Sequence, residues 1–127
     1  MPDTEFDISG LDALPRVDIA YAYAGSDGSA MRAFIAAGAR GLVSAGFAPG
    51  MPPAADLAAM AEAVRQGIVV VQSSRAGSGR IYRSQKLADA GVLAADNLNP
   101  QKARLLLALA LTRTADPAEI ARIFATY

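Results

Sequence analysis

"IVVVQSS", Ile68 to Ser74, runs four β-branched residues together before its first polar side chain. A strand with one wet face alternates apolar and polar residues. A continuous apolar run is the pattern of a strand covered on both faces, as in a parallel sheet. The residues upstream agree. "AADLAAMAEAVRQG", Ala54 to Gly67, puts Leu57, Met60, Ala61 and Val64 on one side of a helix that Gly67 ends. Before it, "GLVS", Gly41 to Ser44, is a short, almost wholly apolar strand that breaks at Ser44 into the loop "AGFAPGMPP". Two parallel strands joined through a helix make a right-handed crossover unit.

The same unit repeats outward. "VDIAYAY", Val17 to Tyr23, is a strand that stops at "AGSDGS", where Asp27 or Ser29 can cap the next helix. In "AMRAFIAAGARG", Met31, Phe34, Ile35 and Ala37 share a face and Gly38 is the stop. Downstream, "RAGSGRIYRS" reads as a polar loop and "GVLAAD" as a weaker strand. Asn99 and Pro100 then open "NPQKARLLLALALTRT", a helix apolar nearly all round, by placing a cap before a first-turn proline. "ADPAEIARIFATY" repeats the device, with Asp116 as cap, Pro117 first and Glu119 third, close to a capping box. The expectation is a single small three-layer α/β/α domain with a parallel sheet, Rossmann-like, over residues 15–127, preceded by a linker-like segment at 1–14.

Composition narrows the chemistry. Of 127 residues, 53% are hydrophobic, and 12 Lys and Arg balance 12 Asp and Glu. There is no net field to attract nucleic acid or an anionic membrane. The chain has no cysteine and no histidine. That removes disulfides, thiolate nucleophiles, imidazole bases and the usual zinc ligand sets, so neither a metal nor a cofactor is expected. The first residues are acidic and polar, unlike a signal peptide, and no apolar run is long enough to span a bilayer. The expected protein is soluble, with cytoplasm and periplasm both open.

In a parallel sheet, ligands gather at the carboxyl ends of the strands. Three loops belong there: "AGSDGS" with Asp27, "AGFAPGMPP" with Gly46, and "SSRAGSGR" with Ser74 and Arg75. All are rich in glycine, which either a binding edge or a plain set of turns would require. "AGSDGSAMRAF" lacks the spacing of both common phosphate-binding motifs, and Asp27 reads as a cap rather than a general base. Ser73 and Ser74 read as turn hydroxyls. The only lysines are Lys86, in a polar loop, and Lys102, in a first helical turn; neither position would strip a lysine of its proton. No complete catalytic set is present.

Four stretches go beyond a generic α/β pattern: "LPRVDIAYAYAGSD", "GLVSAG", "VVVQSSRAGSG" and "LNPQKARLLLALALT", the last followed by "DPAEI" and a terminal aromatic. Together, from about Phe6 to Tyr127, they resemble the C-terminal domain of the bacterial L-asparaginase family. The resemblance implies an enzyme that hydrolyses asparagine to aspartate and ammonia. Its catalytic threonines, lysine and aspartate reside in a larger N-terminal domain that no part of this chain resembles. It implies no catalytic residue here, assembly as a homodimer or homotetramer, and loops that border a neighbouring subunit's pocket. At two pocket positions the sequence departs from the family: Met51 stands for an asparagine, and the stretch around Ser84 and Gln85 lacks a glutamate. Met51 between prolines then reads as a stiff apolar contact. A stand-alone module binding a small ligand, or serving assembly, is the alternative.

Overall fold

In the computed structural model, residues 13–21, 27–46, 54–74, 85–95 and 98–127 are described. Four strands, β1 (Val17–Tyr21), β2 (Gly41–Gly46), β3 (Val69–Ser74) and β4 (Leu93–Ala94), form one parallel sheet in the order β1-β2-β3-β4. They alternate with α1 (Ser29–Ala36), α2 (Ala54–Arg65) and α3 (Gln85–Asp89), and the chain ends in α4 (Pro100–Leu111) and α5 (Pro117–Thr126). The expected α/β/α layers are present. Met31, Met60 and Leu87 of α1 to α3 meet Ala20, Leu42 and Val70 on one face, while α4 and α5 meet Val17, Val43, Val69 and Val71 on the other.

The period-two alternation of β-strands explains how one apolar run serves both layers. Within β3, Val70 points to the α1–α3 layer and its neighbours Val69 and Val71 to the α4–α5 layer. Each helix returns to the sheet through a tight stop. Gly67, at φ 85°, lets Ile68 N–H reach the Ala63 carbonyl at 3.1 Å and its own N–H reach Val64 at 3.0 Å, a Schellman turn with Ala63 and Ile68 as its apolar pair. The same two bonds close α1 at Gly38 and α3 at Gly91.

On the second face of the sheet, α4 makes the closest approach. Gly41 sits beneath it: a Cβ there would lie 2.8 Å from Leu107 Cδ2 and 3.1 Å from Leu111 Cδ1, so the missing side chain sets how closely the helix seats. From the same helix Arg104 Nε donates to the Val17 carbonyl at 2.8 Å and Gln101 Nε2 to Tyr21 Oη at 2.9 Å. These side chains fold over the β1 edge, which would otherwise present open ladder groups. At the start of α4, Asn99 Oδ1 accepts from Lys102 N–H at 2.8 Å as expected of a cap. Asn99→Ala should therefore cost about 1 kcal/mol in a urea titration; an unchanged midpoint would show that the cap does not contribute.

Several local expectations are corrected. β2 does not break at Ser44 but continues to Gly46, because Ser44, Ala45 and Gly46 find ladder partners in Gln72, Ser73 and Ser74. β1 is described over Val17–Tyr21, as expected, and Ala22 and Tyr23 lie outside the described residues. Ala37 follows the end of α1 and is exposed. The buried row of α2 is Asp56, Ala59, Met60 and Ala63, with Leu57 and Val64 flanking it half-buried. Lys86 belongs to α3, a helix that the composition of its surroundings hid. The α5 capping box does not close: Asp116 Oδ1 accepts from Ala118 N–H, but Asp116 N–H goes to Thr114 Oγ1, and Glu119 turns forward to Arg122 at 2.6 Å. Although α4 is apolar nearly all round, it is not buried all round, since Leu105 is 51% exposed.

Candidate functional site

The carboxyl edge of the sheet is where Tyr21, Gly46, Ser74 and Ala94 end their strands and where α1, α2 and α4 begin. Of the residues the sequence nominates, Gly46 and Ser74 are brought side by side as register partners, and Gly46 is buried. Asp27 stands at the same edge, ahead of α1. Met51, Arg75 and Ser84 lie outside the described residues.

Asp27 is a structural acceptor. Its Oδ1 accepts from Ser29 Oγ at 2.6 Å and from Ser29 N–H at 3.0 Å, while Arg32 Nη1 donates to its carbonyl at 3.1 Å. The Ser29 hydroxyl first, then its backbone N–H, hold the carboxyl below its ordinary value, with the Arg32 charge a lesser cause. A group so held does not suit a general base, and the expected cap is corrected as well: the N-cap of α1 is Gly28, with no side-chain cap bond, so Asp27 closes a turn just ahead of the helix. Because the folded value is depressed, the stabilisation is present above the unfolded value of about 4 and is lost as pH falls through the folded one. Asp27→Asn should lower the melting temperature slightly near pH 7, and the gap should close in acid. A gap that persists unchanged at low pH would show that the carboxylate charge is not what Ser29 reads.

Asp27, Gly28, Ser29 and the buried Asp56 of α2 line a cavity of about 10 Å3, room for roughly one water molecule. It accommodates neither a phosphate nor a substrate.

Sequence reading missed the polar residues inside the sheet. Ser44, Gln72 and Ser73 are buried at 2%, 0% and 0% exposure. Ser73 is not a turn hydroxyl: its Oγ donates to the Leu98 carbonyl at 2.9 Å, pinning the end of β3 to the segment that leads into α4. Gln72 Nε2 donates to the Ser73 carbonyl at 2.9 Å, and among the described residues its Oε1 has no partner. The only sequence signal was a polar triplet directly after "VVV". Among the described residues there is no cluster of three metal-ligating side chains.

The fold and its sequential strand order match a known lineage. The family described as Glutaminase/Asparaginase C-terminal domain matches residues 16–124. The chain belongs to this family. As a member of the asparaginase C-terminal family it is 44% identical over 98% of its length to L-asparaginase 2 of Bacillus subtilis, covering 33% of that protein. It is 43% identical to L-asparaginase 2 of Escherichia coli over 98% of its length, covering 36% of that protein. The structure of a probable cytoplasmic L-asparaginase from Campylobacter jejuni superposes at a TM-score of 0.91 with 40% identity, covering 97% of this chain and 40% of that one. The chain thus spans about a third of the B. subtilis and E. coli relatives. Asparaginase relatives include one named periplasmic as well as the cytoplasmic one. Among the described residues no helix is long and apolar enough to cross a membrane.

Proposed function

We propose that this chain is the non-nucleophile domain of an L-asparaginase-type amidohydrolase, and that by itself it is inert. The observation that carries the reading is the match to a C-terminal domain covering only a third of enzymes named L-asparaginase. In the intact enzyme, which releases ammonia from asparagine, the domain over 15–127 serves assembly into a homodimer or homotetramer, with 1–14 as the connection. Its carboxyl-edge loops border the neighbouring subunit's pocket through Met51 and Ser84. An apolar Met51 offers none of the amide donors that would grip an α-amino acid, which sets this pocket position apart from that of enzymes with asparagine there. Asp27, Gly46, Ser74 and Arg75 shape the edge without entering the chemistry.

The test is direct. Purified chain incubated with asparagine or glutamine should release no ammonia above a heat-killed control. Release above the control, proportional to chain concentration, would reject inertness and place a nucleophile within these 127 residues.

A further inference from the structure

We propose that Ser73 is a positioning residue for the pocket-bordering edge of the sheet, fixing the paired strand ends from which the loops after β2 and β3 depart; this rests on the domain reading above. The stretch that carries Met51 leaves from Gly46, and the stretch that carries Arg75 and Ser84 leaves from Ser74; these two strand ends are register partners. A shift of one is passed to the other. On its β2 side the end of β3 is paired, Ser73 with Ala45 and Ser74 with Gly46. On its β4 side the ladder stops short. Among the described residues its last pair there is Gln72 with Ala94, followed by one bond from Ala95 N–H to the Gln72 carbonyl at 2.9 Å.

Ser73 supplies the tie that the short β4 does not. Its Oγ donates to the Leu98 carbonyl at 2.9 Å, Leu98 N–H donates to the Ala95 carbonyl at 3.2 Å, and Gln72 Nε2 donates to the Ser73 carbonyl at 2.9 Å. With the Ala95 bond to Gln72, these contacts close a ring that holds the end of β3 against the lead-in to α4. Three of its links survive a change of side chain at position 73; the fourth is the Ser73 hydroxyl. Ser73 follows Val69 and Val71 on the strand face that meets α4, and it is fully buried. A methyl group would serve that apolar row equally well, so what the hydroxyl adds is direction. Without it the last residues of β3 are held from the β2 side alone. Groups that build a pocket must be held to within about 0.5 Å. In the domain reading this edge borders the pocket and holds no nucleophile, so its displacement falls on substrate binding and not on the chemical step.

Two measurements test this. In the isolated chain, Ser73→Ala should speed amide hydrogen exchange several-fold at position 73 and at Gly46, while Val69 and Gly41, partners at the other end of the same ladder, keep their rates. No change, or an equal change along the whole ladder, overturns the inference. In a chimera in which this chain replaces the C-terminal third of B. subtilis L-asparaginase 2, Ser73→Ala should raise KM for asparagine several-fold at unchanged kcat. Gly67→Ala, just ahead of β3 at the opposite end of the sheet, is the stability control and should leave KM where it was. An unchanged KM in Ser73→Ala, or an equal rise in both variants, overturns the positioning role and leaves the domain reading intact. A folded chimera that hydrolyses no asparagine with Ser73 in place counts against that reading instead, and the exchange pattern then decides the inference.

Discussion

Leu107→Ala should destabilise the isolated chain by about 2–5 kcal/mol, and Leu105→Ala, two positions earlier in the same helix, by no more than about 0.5 kcal/mol. Leu107 is fully buried and its Cδ2 and Cγ occupy the space above Gly41, whereas Leu105 is 51% exposed. Truncating Leu107 leaves a void bounded by the β2 backbone. That wall is tied into ladders with β1 and β3 and cannot collapse inward. Against a total stability of about 5–15 kcal/mol for a domain, the first change threatens folding and the second does not. Equilibrium urea unfolding at constant slope decides it. Equal midpoint shifts for the two variants would mean that α4 does not seat on the sheet through Leu107.

Gly28→Ala should cost about 2–5 kcal/mol, combining about 1–2 for a left-handed backbone with about 1–3 for overpacking. Gly28 has φ 83°, and a Cβ there would stand 2.8 Å from Ala59 Cβ and 3.3 Å from the Ala55 carbonyl. Neither neighbour is the far end of a flexible chain. The methyl belongs to a fully buried residue and the oxygen to the α2 backbone, so relief requires α1 and α2 to part beside Asp27. Gly67→Ala is the control: φ is 85° but nothing lies within 4 Å of the added carbon. It should show the backbone cost alone. Thermal or urea melts of the two variants should differ; identical losses would show that the α1–α2 approach is loose in solution.

The candidate site was legible only in part. Asp27 reads as a local acceptor because the hydrogen bonds it receives from Ser29 span two residues, but the N-cap place itself falls to Gly28. Ser73 could not be read so, since its partner Leu98 is 25 positions away. The lack of imidazole and thiolate chemistry was also legible, because histidine and cysteine are missing from the composition whatever the fold.

Apart from α3, element type, layer count and helix stops follow from the residues alone. Apolar period, Asn99 before Pro100 and the stop at Gly67 act within one or two turns, where neighbours in sequence are neighbours in space. Strand ends and side chains facing across layers do not follow. β2 runs to Gly46 only because β3 offers it partners, and the box at Asp116 stays open because Thr114 and Arg122 take both groups. Most consequential is the order β1-β2-β3-β4 with α1 to α3 on one face. With no reversal among the described strands, the sheet has no switch-point crevice of the kind that holds dinucleotides. That order depends on which apolar faces meet across long stretches of chain, and local propensity carries no information about it.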